Sequence, residues 1–301
     1  MKQQKPARPR AHQVAATKAV VRWYLHTHFR RPSDPGVVDM FCDPSRVGSF
    51  AVERRALRAG DGRALFRLLV ATSMFQRRQD VQILRILQGI GAADAAEISD
   101  ADRLLALVDD GGCAHMRTTQ SLAEACDLDK DPKTLDGCCG ANPSVRCHMK
   151  RHTVLLKRYG HFGKVPTSIA LMVRESGAVD LPAMRRIVMK LERDPLVRAQ
   201  ALEQELSRAW RVNQKIASMF LSMITNPDLS RGLAPWSRGI DWTYYVVVDS
   251  NVDLFLASIG YQGTGTYDAR REFVRELSRG INLAEFDDGL QPYNPRLVQQ
   301  A

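Results

Sequence analysis

The chain has 301 residues, 45% hydrophobic and 25% charged, with 20 glycines and 14 prolines. That composition fits a folded globular protein and excludes collagen-like and wholly disordered chains. No apolar run approaches the ~18 residues of an ordinary membrane-spanning helix. The formal net charge is +10, and it is unevenly placed. Residues 1–35 carry Lys2, Lys5, Arg8, Arg10, Lys18, Arg22, Arg30 and Arg31 against Asp34 alone. Residues 146–164 carry Arg146, Lys150, Arg151, Lys157, Arg158 and Lys164 with no acid. Two basic zones on a nearly balanced body fit an anionic partner, nucleic acid first among them. A solvated tail and an ordinary polar helix face fit the same charges.

Residues 1–14 read as a basic, flexible tail and residues 15–29 as a first helix. The apolar run Ala19-Val20-Val21 meets Arg22 at once, and the next is closed by His26 and His28, which does not suit a secretory signal. Residues 1–33 lack acids, as transit segments do, but residues 15–29 serve as an ordinary first helix, and a cytoplasmic location is the expectation. Leu65, Leu68, Leu69 and Thr72 follow helical spacing, and Val81, Leu84, Ile86 and Leu87 resume it after a break. Ser99 is a candidate cap for a helix carrying Leu104, Leu105 and Val108.

Gly111-Gly112, Asp131-Pro132, Gly137, Gly140 and Asn142-Pro143 interrupt the helical rhythm, so residues 111–146 read as an insertion. Val154, Leu155 and Leu156 then sit on a helix ended by Gly160. Asp180-Leu181-Pro182 is a helix start with proline in the first turn, and Ile187, Leu191, Leu202 and Leu206 continue the pattern. Ile216, Met219, Phe220 and Met223 form an apolar stripe ended by Asn226-Pro227. Val252, Phe255, Leu256 and Ile259 form another, ended by Gly260. The one β-like run, residues 244–248, cannot make a sheet by itself and reads as an extended lead-in to the next helix. The fold class is therefore all-α, built from many short helices.

Cys113, Cys126, Cys138, Cys139 and Cys147 crowd the insertion beside His115, His148 and His152, with Cys42 apart. Without a secretion signal a disulfide framework is not expected. There is no Cys-x-x-Cys pair, so the spacing matches no common zinc-finger pattern. A structural zinc on these cysteines and a set of free thiols both remain open.

The stretch richest in chemistry is residues 210–261. Trp210-Arg211-Val212-Asn213-Gln214 forms a short turn between helices, and Lys215 follows on the first turn of an apolar helix. After an irregular connection, Asp249 opens the next helix. Here the chain resembles the helix-hairpin-helix DNA glycosylase superfamily, the endonuclease III-like group. The family's hairpin reads Leu-Pro-Gly-Val-Gly-x-Lys-x-Ala where this chain has Ala209-Trp210-Arg211-Val212-Asn213-Gln214-Lys215-Ile216-Ala217. The family's Val-Asp-x-x-Val is matched by Val248, Asp249 and Val252. Upstream, residues 68–72 through Gln76 and Asp80 resemble the helix ending in a duplex-inserting glutamine. Residues 150–166 resemble the helix and Gly-x-Val-Pro loop before the hairpin. The pieces cover about half the chain, in family order.

The resemblance implies two helical lobes flanking a DNA-binding cleft, with the N-terminal helix joining the C-terminal helices in one of them. It implies a monomeric enzyme that flips a damaged base from double-stranded DNA and cleaves its glycosidic bond. Lys215 would be the Schiff-base nucleophile of a coupled β-elimination (AP-lyase) step. It falls at the positive end of its helix dipole. Asp249 would stabilise the developing positive charge or orient the nucleophile. Gln76 or Arg77 would fill the gap left by the flipped base, and Arg211, Val212, Asn213 and Gln214 would meet a DNA phosphate. Both hairpin glycines are replaced, by Arg211 and Asn213. Asn213 tolerates a left-handed backbone, and Arg211 offers a guanidinium in place of backbone amides. The family's C-terminal four-cysteine iron–sulfur motif is absent, since no cysteine follows Cys147. Two other readings use the same residues: a DNA-binding protein that kept the scaffold without turnover, and a metal-binding interaction module centred on the insertion.

Overall fold

A computed structural model describes residues 7–29, 37–76, 79–111, 113–126, 164–230 and 232–301. Its helices in chain order are α1 (Ala11–Thr27), α2 (Val37–Phe41), α3 (Pro44–Val47), α4 (Arg54–Ala59), α5 (Gly62–Ser73), α6 (Asp80–Gly89), α7 (Ala92–Ile98), α8 (Ala101–Gly111) and α9 (Thr119–Glu124). They continue with α10 (Val165–Glu175), α11 (Leu181–Leu191), α12 (Pro195–Leu206), α13 (Gln214–Thr225), α14 (Ser250–Ser258), α15 (Tyr267–Arg279) and α16 (Pro295–Gln300). No strand occurs among the described residues, so the fold is all-α. No described helix is long and apolar enough to cross a membrane.

The chain divides into two compact units. One joins Met1–Asp39 to Leu221–Ala301; the other is Met40–Phe220. In the first, Val21 and Tyr24 of α1 share a core with Leu229, Ile281, Leu283, Leu290, Leu297 and Val298. A second cluster sets Val246, Val248, Val252 and Leu256 against Phe273, Val274 and Leu277 of α15. The first helix starts at Ala11, inside the stretch expected to be a flexible tail. The reason is tertiary: Gln13 is buried, and its Nε2 donates to the carbonyls of Ile259 and Gly260 at 3.0 and 3.2 Å.

In the second unit α5 and α10 are the innermost helices. Leu65, Leu68 and Leu69 of α5 and Ile169, Ala170, Leu171 and Met172 of α10 are fully buried. Caps set the starts: Asp61 accepts from the Ala64 N–H ahead of α5, and Asp180 from the Ala183 N–H ahead of α11, with Pro182 in the first turn. The cap of α8 is Asp100, whose Oδ1 accepts from Asp102 and Arg103, not Ser99. Ser99 is buried and donates to the Ala95 carbonyl instead.

Two buried faces also differ from expectation. α6 turns Ile83, Ile86 and Leu87 inward and leaves Val81 exposed; α11 buries Leu181, Met184 and Val188 and leaves Leu191 exposed. The start of the insertion is ordered, not irregular. A 3₁₀ turn (Ala114–Met116) and α9 bring Met116, Leu122 and Cys126 against Val108 and Leu171. Residues 127–163, which hold Cys138, Cys139, Cys147, His148, His152, most of the second basic zone and the helix expected around Val154, lie outside the described residues.

Candidate active site

The hairpin is the connection 207–213 between α12 and α13, within the second unit. Three hydrogen bonds shape it. The Trp210 N–H donates to Ser168 Oγ of α10 at 2.6 Å. The Val212 N–H donates to the Ala209 carbonyl at 3.0 Å. Gln76 Nε2, just past the end of α5, donates to the Arg211 carbonyl at 3.0 Å and to the Ser73 carbonyl at 2.7 Å. Thus α5, α10 and the hairpin meet at one point, 135 residues apart in sequence between Gln76 and Arg211.

Arg211 has φ +61°, and among the described residues no other non-glycine has positive φ. It occupies the position of the first family glycine. A left-handed backbone costs an L-residue about 1–2 kcal/mol, so the contacts around the turn hold a conformation that arginine does not favour. Asn213, expected to tolerate that conformation, does something else. Its Oδ1 accepts from the Ile216 N–H at 3.2 Å, and its carbonyl accepts from Ala217, so it caps α13.

Gln76, Arg211, Asn213, Lys215 and Ile216 line one cavity of ≈ 290 Å³. Lys215 is half-buried in the first turn of α13. Among the described residues it makes no hydrogen bond or ion pair. Gln214 opens the helix. Val212 is buried and its N–H is used inside the turn, so it offers no amide to a ligand, contrary to its expected role. Gln76 is engaged with two carbonyls, so inserting it into a duplex would first break both bonds. Arg77, the other wedge candidate, lies outside the described residues.

One cation near the hairpin is placed differently from expectation. Lys164, counted with the phosphate-binding zone, is 1% exposed. Its Nζ donates to the carbonyls of Leu122 and Cys126 at 3.1 and 2.6 Å and lies 4.5 Å from the Trp210 ring centroid. The Arg211 guanidinium lies 4.8 Å from the same ring, so Trp210 receives two cations. Phe75 is buried edge-on against Phe41, a core contact.

Asp249 stands in the other unit. It is the N-cap of α14, accepting from the N–H groups of Asn251 and Val252 at 3.0 Å each. The extended residues 245–249 lead into it, after a 3₁₀ turn at Trp242–Tyr244. Tyr267 of α15 braces them: its hydroxyl donates to the Val246 carbonyl at 3.0 Å and accepts from the Val248 N–H at 3.3 Å. Sequence reasoning missed Arg296. Its guanidinium is buried, donating to Ser222 Oγ at 3.2 Å and Gln299 Oε1 at 2.6 Å. Burial pushes its pKa down to about 10, and the negative charge of Asp249 is the strongest influence opposing that shift. Nothing in the local sequence marks a buried arginine, because that depends on how α16 packs.

No described group of three or more His, Cys, Asp or Glu residues is placed to hold a metal ion. Of the described cysteines, Cys42 and Cys113 are half-buried and Cys126 is buried. No protein-family model, no curated protein and no solved structure matches this chain.

Proposed function

We propose that the chain is a DNA base-excision glycosylase with a lysine-dependent AP-lyase step. The observation that carries the reading is the gathering of Gln76, Arg211, Asn213 and Lys215 around one cavity. Gln76 was singled out from one stretch of sequence, and Arg211, Asn213 and Lys215 from another, 135 residues on. The positive φ of Arg211, where the resembled family has glycine, supports it. So does the union of the N-terminal helix with the C-terminal helices in one compact unit.

In this reading Lys215 Nζ bonds to C1′ as the C1′–N glycosidic bond breaks. The electron pair leaves with the base, which takes up a proton. Opening of the sugar ring and loss of an amine proton give the Schiff base, from which β-elimination follows. Asp249 supplies countercharge to the oxocarbenium character of the transition state. Arg211 contacts a phosphate through its guanidinium, since the hairpin lacks the glycines that would bring backbone amides close.

Asp249→Asn tests the carboxylate apart from its cap, because asparagine caps as well as aspartate. Release of oxidised, deaminated or alkylated bases from duplex DNA should fall on the order of a hundredfold or more, with duplex affinity kept. Unchanged release would overturn the role of Asp249. The reading as a binding protein without turnover is favoured by the loss of both hairpin glycines, and predicts no base release from either protein.

A further inference from the structure

α1 buries one face and leaves the other bare. Gln13, Thr17, Val21 and Tyr24 are buried. The opposite face, at matching spacing, presents His12, Ala16, Ala19, Arg22, Trp23 and His26, all exposed. Trp23 is 56% exposed and takes no part in the core cluster that gathers Val14, Val21, Tyr24 and Leu25. It is the largest of the exposed apolar side chains among the described residues. The ring is also oriented: the His28 imidazole meets it edge-on at 4.7 Å and 68°.

Of the cations on α1 and just ahead of it, most make no ion pair among the described residues. Lys18 is paired with Glu285 at 2.8 Å. Arg22 instead lies 5.3 Å from the Phe286 ring centroid and makes no ion pair among the described residues. Arg8 and Arg10 are exposed just ahead of the helix. Residues 1–29 contain no acid at all.

We infer that this face of α1 binds single-stranded nucleic acid, with Trp23 stacking on an unpaired base and Arg22, Arg8 and Arg10 meeting phosphates. An exposed, oriented aromatic on a helix whose Arg22, and Arg8 and Arg10 ahead of it, make no ion pair among the described residues matches a ligand that carries π-faces and phosphates together. A duplex hides its base faces. An acidic peptide would use the cations and leave Trp23 without a role. The inference stands on α1 and its neighbours in one unit and does not rest on the glycosylase reading.

The test uses the full chain and fluorescein-labelled oligodeoxythymidine and oligouridine of about twelve nucleotides, read by fluorescence anisotropy. Both should bind, because neither the stack nor the phosphate contacts read the 2′ position. Trp23→Ala should weaken binding about tenfold, and Trp23→Phe should restore most of it. Arg22→Gln should lower the slope of log affinity against log salt by about one, whereas Trp23→Ala should leave that slope unchanged. Equal affinity of wild type and Trp23→Ala would overturn the proposal. So would tighter binding of a labelled polyglutamate peptide than of either oligonucleotide.

Discussion

At Arg211 three small energies nearly cancel. The left-handed backbone costs about 1–2 kcal/mol. Glycine there would relieve that strain but cost about 0.5–1 kcal/mol of chain entropy. It would also lose the guanidinium–indole contact with Trp210, worth about 0.5–1 kcal/mol. Arg211→Gly should therefore lie within about 0.5 kcal/mol of wild type in urea unfolding. Arg211→Val keeps the strain, adds a β-branch and loses the contact, so it should be destabilised by about 2 kcal/mol. Both should weaken duplex binding if the guanidinium meets a phosphate. The sequence singled out Arg211, Asn213 and Lys215 because a short turn between apolar helices confines them. Asn213 is the residue expected to tolerate a left-handed backbone, but the residue that adopts one is Arg211. Asn213 is pre-empted by capping α13, an offset of two residues that spacing alone does not reveal.

Helix starts were legible where the chemistry is local. Asp180-Leu181-Pro182 and Asp249 carry their caps within three residues, and both cap as read. Helix faces were less legible. Val81 and Leu191 sit at apolar spacing yet point to solvent, because the neighbouring helix decides which stripe is covered. Lys164 shows the same limit more sharply. In a run of cations it reads as a phosphate ligand, but the carbonyls of Leu122 in α9 and of Cys126 just past it draw it inward. That cation ties the ordered start of the insertion to the hairpin's Trp210. Lys164→Met should strip two charge-assisted hydrogen bonds and destabilise the chain by about 2–3 kcal/mol. Urea unfolding followed by Trp fluorescence checks this; a loss under about 0.5 kcal/mol would contradict the account.

For the whole molecule, the all-α class followed from helical periodicity almost throughout, and no strand is found among the described residues. The joining of Met1–Asp39 to Leu221–Ala301 shows in no periodicity or cap and was expected only from the family resemblance. The net charge of +10 makes a claim at the same scale. Duplex affinity should fall on the order of a hundredfold between about 50 and 200 mM salt if about four phosphates are neutralised. A flat salt response would remove nucleic acid as the partner of the basic zones.

The most direct test of the central claim is borohydride trapping on duplex DNA carrying an abasic site, with wild type and Lys215→Ala side by side. Asp249→Asn and a panel of oxidised, deaminated and alkylated bases complete the experiment. The account predicts a covalent protein–DNA adduct with wild type that disappears in Lys215→Ala, although that variant still binds the duplex. An adduct that survives Lys215→Ala, or no adduct and no base release from a wild-type protein that binds the duplex, would contradict it.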